Sequence, residues 1–335
     1  MRIQAWAAPA AAQPLVPFAY DAAELGPEDV ELEVSHCGLC HSDLHLIDDA
    51  WKRSAFPLVP GHEVVGTVRA VGSAVRHLGP GVRAGVGWQR SACFACSECS
   101  RGRENLCARQ EATCVGHHGG LGERLRVDGR FAFAIPDALE SALAAPLLCG
   151  GVTVYAPLKR HGADATRTVG VVGVGGLGHL AIRFARALGC EVLALTSSPD
   201  KRPELLALGA HEVHSSVDAR QLRRLAGRID LLLSTAPARL DWISLVSTLR
   251  PSGVLCLVGA APGLLAVPAA QLITGERTLC GSDIGDRATI VEMLGFVARQ
   301  GLTPTIETLP LDRVNDGLAR LRRNQARYRV VMEMR

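Results

Sequence analysis

A glycine-rich turn in the second half of this 335-residue chain constrains its fold more than any other feature. The turn follows the apolar run Thr168–Val172 and precedes a segment with helical spacing of apolar residues, 177–188. It reads G-x-G-x-x-G, and its residues are Gly173, Gly175, Gly176, Leu177 and Gly178. Such glycines allow a tight turn and the close approach of a pyrophosphate to a helix N-terminus, so the motif predicts a dinucleotide site. The alternative is a glycine-rich turn in an α/β sheet that binds no nucleotide.

The region around this turn alternates between apolar strand-like runs and helical segments. The strand-like runs are Thr168–Val172, 192–196, Ile229–Ser234 and 254–258. This alternation is typical of a doubly wound parallel sheet with right-handed crossovers. We therefore assign a Rossmann coenzyme-binding domain to residues 150–285.

The other residues, 1–149 and 286–335, are predicted to form a second domain. Residues 1–149 contain short apolar runs separated by glycine and proline, a pattern of short strands and turns. The C-terminal segment shows two helical patterns and a closing strand at 328–332. It is too short to fold alone, so we expect it to join the first 149 residues. The fold class is α/β, with a mostly β domain beside the Rossmann domain.

Composition and charge exclude several classes of protein. Hydrophobic residues make up 48% and charged residues 21% of the chain, which excludes a largely disordered protein. The net charge of +3 is spread without a basic run, so we expect no nucleic-acid partner. The most apolar stretch, 254–273, is interrupted by Gly259, Pro262 and other breakers, so we expect no membrane span. The N-terminus does not resemble a signal peptide, and we expect a cytoplasmic protein.

Four of the eleven cysteines are clustered in the pattern C-x2-C-x2-C-x7-C. They are Cys93, Cys96, Cys99 and Cys107. Four thiolates close a tetrahedral shell around zinc and leave no position for chemistry, which predicts a structural zinc site. The alternatives are a nucleic-acid-binding zinc module, an iron–sulfur cluster, or four unconnected cysteines.

A second group of metal-ligating residues is widely spread: Cys40, His62, Glu63 and Cys149. Two thiolates and one imidazole leave a fourth position for water or substrate, as in a catalytic zinc site. The spacing alone is weak evidence, because a histidine in a glycine turn is more often a surface residue and a single buried cysteine is usually a small hydrophobe.

The end of the second Rossmann strand indicates the coenzyme. An NAD site carries an acidic residue there, which binds the ribose 2′-hydroxyl and would repel a 2′-phosphate. This chain has Thr196, Ser197 and Ser198, followed by Lys201 and Arg202. Hydroxyl and basic side chains can hydrogen-bond a phosphate and neutralise its charge. We predict a preference for NADP over NAD, with Asp200 as the one opposing charge.

Together these motifs resemble the zinc-dependent medium-chain alcohol dehydrogenases. The branch they resemble most holds the cinnamyl alcohol dehydrogenases and bacterial NADPH-dependent aldehyde reductases. Besides the four-cysteine group and the glycine turn, the motifs are Cys37-Gly-Leu-Cys-His-Ser-Asp-Leu-His, Val59-Pro-Gly-His-Glu and Ala145-Pro-Leu-Leu-Cys-Gly-Gly-Val-Thr-Val-Tyr. The resemblance covers essentially the whole chain. It implies a GroES-like catalytic domain, two zinc ions per chain, NADP(H), and reversible reduction of aldehydes to primary alcohols.

The resemblance also implies roles for individual residues. Cys40, His62 and Cys149 would bind the catalytic zinc, with Glu63 as an alternate ligand. Asp43 would orient His62, and Ser42 and His45 would pass a proton to and from solvent. Further coenzyme contacts would come from His41, Ser42, Thr153, Thr235, Gly259, Ser282, Asp283 and Ile284.

The resemblance leaves the substrate and the assembly state open. Trp51 and Trp88 match positions that line the substrate cleft in similar enzymes. Asp283 lies where relatives often carry an apolar residue, which implies either a more polar cleft or a side chain in solvent. A homodimer is implied, with 254–258 and 278–284 as candidate edge strands. The rival functions are a non-catalytic NADPH-binding protein and a polyol dehydrogenase of the same superfamily.

Overall fold

The computed structural model describes residues 1–334, which form two compact units. Unit 1 consists of Met1–Cys149 and Gly285–Arg335, and unit 2 consists of Gly150–Ile284. The second boundary lies one residue before the one expected from the sequence. That these units are independent domains stays a prediction.

The strands of the described chain are β1 Arg2–Ala7, β2 Val16–Asp21, β3 Asp29–Leu39, β4 Val64–Val71, β5 Arg83–Val86, β6 Gln89–Ser91, β7 Glu111–Ala112, β8 Arg124–Asp128, β9 Ala132–Ala134, β10 Thr168–Val172, β11 Glu191–Thr196, β12 Glu212–Ser215, β13 Ile229–Ser234, β14 Leu249–Leu257, β15 Thr278–Gly281, β16 Ile306–Pro310 and β17 Arg329–Glu333. The α-helices are α1 His41–Ile47, α2 Ser97–Ser100, α3 Ser141–Ala144, α4 Gly150–Arg160, α5 Gly178–Ala187, α6 Arg202–Ala207, α7 Ala219–Arg224, α8 Trp242–Ser247, α9 Ala269–Ile273, α10 Arg287–Gln300 and α11 Val314–Arg322. Short 3-10 turns lie at Glu104–Leu106, Gly129–Phe131, Ala145–Leu148, Pro199–Lys201 and Leu311–Arg313.

Unit 1 is built on a seven-stranded sheet in the order β16-β17-β3-β4-β5-β9, with β8 also paired to β3. All pairs are antiparallel except β16 with β17. In β3, Val30, Leu32 and Val34 alternate into the core, as the two-residue period of a strand requires. Because β17 pairs with β3, with Met332 opposite Cys37, the C-terminal segment lies in unit 1.

Unit 2 contains a six-stranded parallel sheet in the order β12-β11-β10-β13-β14-β15. Numbered within the unit, this order is 3-2-1-4-5-6, the doubly wound order of dinucleotide-binding sheets. Strands β10 and β13 are buried along their whole length, so both faces of the sheet are covered. The strand order reverses between β10 and β13, and ligands of such sheets bind beyond the strand ends at that point.

One expectation about the sheet edges is wrong. Residues 254–258 belong largely to β14, which lies inside the sheet between β13 and β15. Strand β15 is an edge strand of this sheet, so it alone of the two candidate segments keeps a free side. Periodicity marks a segment as a buried strand, but only the strand order shows its neighbours.

Within residues 1–334, no single helix is long and apolar enough to cross a membrane. The segments Ser141–Leu148 and Gly150–Arg160 reach the length and apolar composition of a membrane span only when taken together, and the chain bends by 58° between them.

Candidate active site

The N-terminus of α1 brings Cys40 and Asp43 into one buried turn. Cys40 is the N-cap of α1, and its backbone N–H donates to the Asp43 carboxylate over 2.9 Å. Asp43 also accepts from the Gly61 N–H over 3.0 Å, and its side chain is fully buried. Gly61 has φ +105°, and a Cβ there would lie 2.7 Å from the Cys37 Sγ. Only glycine therefore fits this turn.

The turn at Gly61 places the imidazole of His62 against Asp43. His62 Nδ1 lies 2.9 Å from Asp43 Oδ1, and both side chains are fully buried. A carboxylate only accepts hydrogen bonds, so Nδ1 carries a proton and Nε2 is the nitrogen that can bind a metal ion. Within the described chain, this buried Nε2 has no hydrogen-bond partner. The structure thus brings Asp43 to the position expected of a residue that orients His62.

The unpartnered Nε2 lies among three further metal-ligating groups. The donor atoms of Cys40, His62, Glu63 and Cys149 all lie within 4.8 Å of one another. The turn that precedes Cys149 packs closely on the residue after β5, because a Cβ at Gly87 would lie 2.4 Å from the Leu148 carbonyl oxygen. Two thiols, an imidazole and a carboxylate match the ligands that zinc prefers.

The electrostatics of this cluster favour a bound cation. Burial lowers the pKa of His62, but the charges of Asp43 and Cys149 outweigh burial, so the pKa lies well above its usual value. A hydrogen bond between the two thiols lowers the pKa of Cys40 well below its usual range and raises that of Cys149. The field that attracts a proton to this cluster also attracts a metal cation. The residues present therefore fit zinc.

Arg329 is a neighbour of the cluster that the sequence analysis missed. Its guanidinium contacts Glu63 Oε1, and both side chains are almost completely buried. Glu63 Oε2, within the described chain, has no hydrogen-bond partner. Burial raises the pKa of Glu63 to about 7, against the opposing effect of Arg329. The sequence feature that could have identified Arg329 is that it is the single charged residue in the predicted closing strand 328–332.

Aromatic rings form a wall beside the cluster in unit 1. The ring of Trp88 stands edge-on to His62 with centroids 4.9 Å apart, and Trp51 meets Trp88 at 6.0 Å. The His45 ring lies 5.0 Å from Trp51. Trp51 is 40% exposed, and Trp88 is partly buried. The structure thus gathers the two predicted substrate-cleft tryptophans and His45 next to the candidate zinc ligands.

The four clustered cysteines also converge. The sulfur atoms of Cys93, Cys96, Cys99 and Cys107 lie within 4.8 Å of one another. The Cys93 and Cys99 sulfurs are 3.9 Å apart, close to the separation of about 3.8 Å that follows from Zn–S bonds of about 2.3 Å in a tetrahedron. Hydrogen bonding from the Ala95 backbone, the largest cause, lowers the pKa of Cys93 to about 5. The cluster fits a zinc ion with no open position.

Replacing Cys96 by serine is expected to remove this zinc ion and to lower the thermal unfolding midpoint. The loop 93–107 has few apolar residues of its own to hold it closed, and a domain of this size loses roughly 2–4 °C for each kcal/mol of stability. Metal analysis and calorimetry on the same sample check the prediction. Full zinc content with an unchanged midpoint would contradict it, and Ser100→Ala in the same loop is the matched control.

The glycine turn in unit 2 has the shape that a pyrophosphate requires. Gly173 has φ +81°, and a Cβ at Gly178 would lie 2.1 Å from the Gly173 carbonyl oxygen. A Cβ at Gly175 would meet nothing within 4 Å, so this glycine leaves open space in front of the turn. Helix α5 begins at Gly178, directly after this turn, and a helix N-terminus is a ready site for an anion. The cradle fits a dinucleotide.

The ends of neighbouring strands approach this turn. The Thr235 hydroxyl donates to the Gly173 carbonyl over 2.6 Å. A Cβ at Gly259 would lie 2.6 Å from the Thr235 carbonyl oxygen. Strands β10, β13 and β14 therefore bring Gly173, Thr235 and Gly259 together at the reversal of strand order.

The basic residues after β11 take different directions. Lys201 donates to the Val174 carbonyl in the glycine turn over 3.0 Å. Arg202 donates to the Val213 carbonyl of β12 over 2.8 Å. Ser197 is exposed at the end of β11, and Thr196 is buried and accepts a hydrogen bond from the Ser198 N–H. The structure thus brings Lys201, rather than Arg202, to the glycine turn.

The remaining predicted coenzyme residues lie on several elements. His41 and Ser42 open α1 in unit 1, and Thr153 lies on α4 in unit 2. After β15, Ser282 keeps a buried hydroxyl with no hydrogen-bond partner in the described chain, and Asp283 is exposed. Ile284 has φ +39°, which a β-branched residue rarely adopts. Such strain is concentrated at functional segments. The roles of these residues stay predictions.

Comparison with known proteins identifies both halves of the chain. Residues 26–137 match the family model of the alcohol dehydrogenase GroES-like domain, and residues 176–299 match that of the zinc-binding dehydrogenases. An aldehyde reductase from Synechocystis sp. is 44% identical over 330 residues, which cover 98% of each chain.

Solved structures agree with these matches over the whole chain. A cinnamyl alcohol dehydrogenase from Sorghum bicolor superposes with a TM-score of 0.95 at 38% identity, covering 99% of this chain and 98% of that one. A cinnamyl alcohol dehydrogenase from Helicobacter pylori, solved with NADP(H), gives 0.92 at 29% identity, covering 100% and 98%. The predicted GroES-like and Rossmann fold class is confirmed, and the chain belongs to the zinc-dependent medium-chain alcohol dehydrogenase family, in the branch of the cinnamyl alcohol dehydrogenases and aldehyde reductases.

Proposed function

We propose that this protein reversibly reduces aldehydes to primary alcohols with NADPH, using a catalytic zinc ion and holding a second, structural zinc ion. The observation that carries the proposal is the cluster around His62 Nε2. A buried, unpartnered imidazole nitrogen lies beside two thiols, and an aromatic wall adjoins it. In this family such a donor set serves oxidoreduction of alcohols and aldehydes, and the similarity to an aldehyde reductase supports that direction.

Cys40, His62 and Cys149 would hold the catalytic zinc, with Glu63 as the alternate ligand. When bound, zinc polarises a carbonyl as a Lewis acid and NADPH supplies the hydride. Asp43 keeps the Nδ1 proton on His62 and so keeps Nε2 available as a ligand. Cys93, Cys96, Cys99 and Cys107 would hold the structural zinc.

Ser42 and His45 would deliver the proton that the reduction consumes. They stand three residues apart on α1, which places them on one face of the helix. Ser42 is partly buried beside Asp43, and His45 lies further along the same face against Trp51. A hydroxyl can accept and donate a proton at once, and a histidine exchanges protons with solvent near neutral pH.

The aromatic wall favours aromatic and α,β-unsaturated aldehydes over medium aliphatic ones. Trp51 and Trp88 meet edge to face, with an angle of 88° between their planes. Exposed indole faces bind planar conjugated substrates by stacking and by burial of apolar area. Asp283 is exposed, so we propose that it does not make the substrate cleft acidic.

NADPH is proposed as the coenzyme. The end of β11 carries Ser197 where an NAD site has an acid, and the Lys201 ammonium lies at the glycine turn. Together they can hydrogen-bond and neutralise a 2′-phosphate. The similar Helicobacter pylori enzyme was solved with NADP(H).

We further propose a homodimer in the cytoplasm. In unit 2, β15 pairs with β14 on one side and with no strand of the described chain on the other. An open edge strand presents unpaired N–H and C=O groups, which a second copy of β15 can satisfy. The monomer–dimer state is measured by ultracentrifugation of the purified protein.

The test of the function is NADPH and NADH oxidation with cinnamaldehyde, benzaldehyde and hexanal, with metal content measured on the same sample. We expect turnover with NADPH, a preference for cinnamaldehyde, and about two zinc ions per chain. No turnover at full zinc loading would favour a non-catalytic NADPH-binding protein. Faster oxidation of mannitol with NAD than reduction of any of these aldehydes would favour a polyol dehydrogenase.

A further inference from the structure

A third group of metal-ligating side chains lies in unit 2 and takes no part in the proposed reaction. The Nε2 atom of His161 and the sulfur atoms of Cys256 and Cys280 all lie within 4.8 Å of one another. Cys256 is fully buried, while His161 and Cys280 are partly exposed. No local motif connects these residues, because 24 positions separate the two cysteines and His161 lies still further away along the chain.

The parallel sheet brings the two cysteines together. Strands β14 and β15 are neighbours, and Cys256 stands directly opposite Cys280. Opposite residues of adjacent parallel strands point to the same face of the sheet. His161 directly follows α4, and its backbone N–H donates to the Pro157 carbonyl, which continues the helical turn. The end of α4 thereby presents the imidazole to the two sulfurs.

The distances fit a metal ion better than a disulfide. Cys280 Sγ lies 3.5 Å from His161 Nε2. A tetrahedral zinc ion with Zn–S of about 2.3 Å and Zn–N of about 2.05 Å separates sulfur and nitrogen by about 3.6 Å. A disulfide requires a Cβ–Cβ distance of about 3.8 Å, whereas neighbouring strands are about 4.8 Å apart. A disulfide at this pair would therefore distort the sheet.

The protonation of these three residues is compatible with a site that binds a metal ion when free metal is supplied. Burial, and to a lesser degree Arg160, lower the pKa of His161, so the imidazole is neutral and its nitrogen can bind a cation. Burial raises the pKa of the Cys256 thiol to about 12. Zinc must displace this tightly held proton, and the group offers three ligands rather than four, so the site is weaker than the clusters of unit 1.

We propose that His161, Cys256 and Cys280 form a third zinc site, with its fourth position open to water. The site binds Zn²⁺ more weakly than the four-ligand clusters of unit 1 and fills when free zinc rises. Bound zinc would tie β15 to β14 and to the end of α4. The segments that follow these strands contain Gly259 and Ser282. The site would therefore stiffen the strand ends that lead to the predicted coenzyme contacts.

The test is a zinc titration of the protein as purified, with its unit 1 zinc ions bound, against a chromophoric zinc indicator. We expect the wild type to take up one further equivalent, and Cys280→Ser and His161→Gln to lose it. Cys190→Ala is the matched control, since Cys190 is a buried cysteine of unit 2 outside the cluster. This control should keep the extra equivalent.

Two further readouts do not depend on enzyme activity. Added zinc should raise the unfolding midpoint of the wild type and of Cys190→Ala but not of the two ligand variants. It should also protect the partly exposed Cys280 thiol of the native wild type from alkylation. The proposal is overturned if the wild type binds no further zinc, if both ligand variants still bind it, or if mass spectrometry finds Cys256 and Cys280 joined as a disulfide. Because this test measures metal uptake in unit 2, its outcome does not depend on whether the protein reduces aldehydes.

Discussion

Replacing Cys149 by alanine is expected to lower aldehyde turnover with NADPH by about 10³-fold or more. Its sulfur is one of the donor atoms gathered around His62 Nε2, and removing it takes away one of the two thiolate ligands, so the site should lose its zinc ion. Lewis-acid activation of a carbonyl supplies several kcal/mol, and each 1.36 kcal/mol is a factor of ten in rate. Zinc content should fall from about two ions per chain to about one, as measured by atomic emission together with steady-state kinetics.

Cys37→Ala is the matched control for this variant. Cys37 is also a buried cysteine of unit 1, only three residues from Cys40, but its sulfur is not among the clustered donor atoms. It should keep both zinc ions and turn over within a few-fold of the wild type, with some loss of stability from the small cavity. Full turnover by Cys149→Ala would refute the assignment of the catalytic zinc ligands.

Replacing Ser197 by aspartate is expected to reverse the coenzyme preference. Ser197 is exposed at the end of β11, where a carboxylate would repel the 2′-phosphate of NADPH and accept a hydrogen bond from the ribose hydroxyl of NADH. Like charges placed together at a binding site cost several kcal/mol. We expect kcat/KM for NADPH to fall by roughly 10²-fold or more and that for NADH to rise, measured at saturating aldehyde.

The control for the charge itself is Ser252→Asp. Ser252 is exposed near the beginning of β14, at the opposite end of the strand from the predicted coenzyme contacts. Its φ is +61°, a conformation that aspartate tolerates. This variant carries the same added charge and should leave the ratio of the two coenzymes unchanged. If both variants shift the ratio equally, the effect is one of net charge and the role of Ser197 is wrong.

Much of the fold was predictable because its signals are local. The run Thr168–Val172 and the glycines after it lie next to each other in the chain, and both appear in the structure as β10 and its turn. The four cysteines of the 93–107 loop are likewise close in sequence, so their spacing alone indicated convergence. Cys40, His62 and Cys149 are distant from one another, and only the resemblance to a family connected them before the structure was known.

Other features depended on which strands are neighbours. Arg329 and Glu63 are 266 residues apart and meet near the pairing of β17 with β3. Residues 254–258 showed the pattern of a strand equally suited to an edge or an interior position, and the strand order placed them inside the sheet. Local periodicity reports burial but carries no information about the adjacent strand.

The sequence by itself determined the two kinds of domain, the family, the glycine turn and the candidate zinc ligands, because each is encoded in a local pattern or a family motif. The tertiary structure alone decided the Glu63–Arg329 ion pair, the aromatic wall from His45 to His62, and the meeting of His161 with Cys280. The physical reason is that these contacts join residues far apart in the chain, and their geometry is set by strand order, strand register and the direction in which each helix ends.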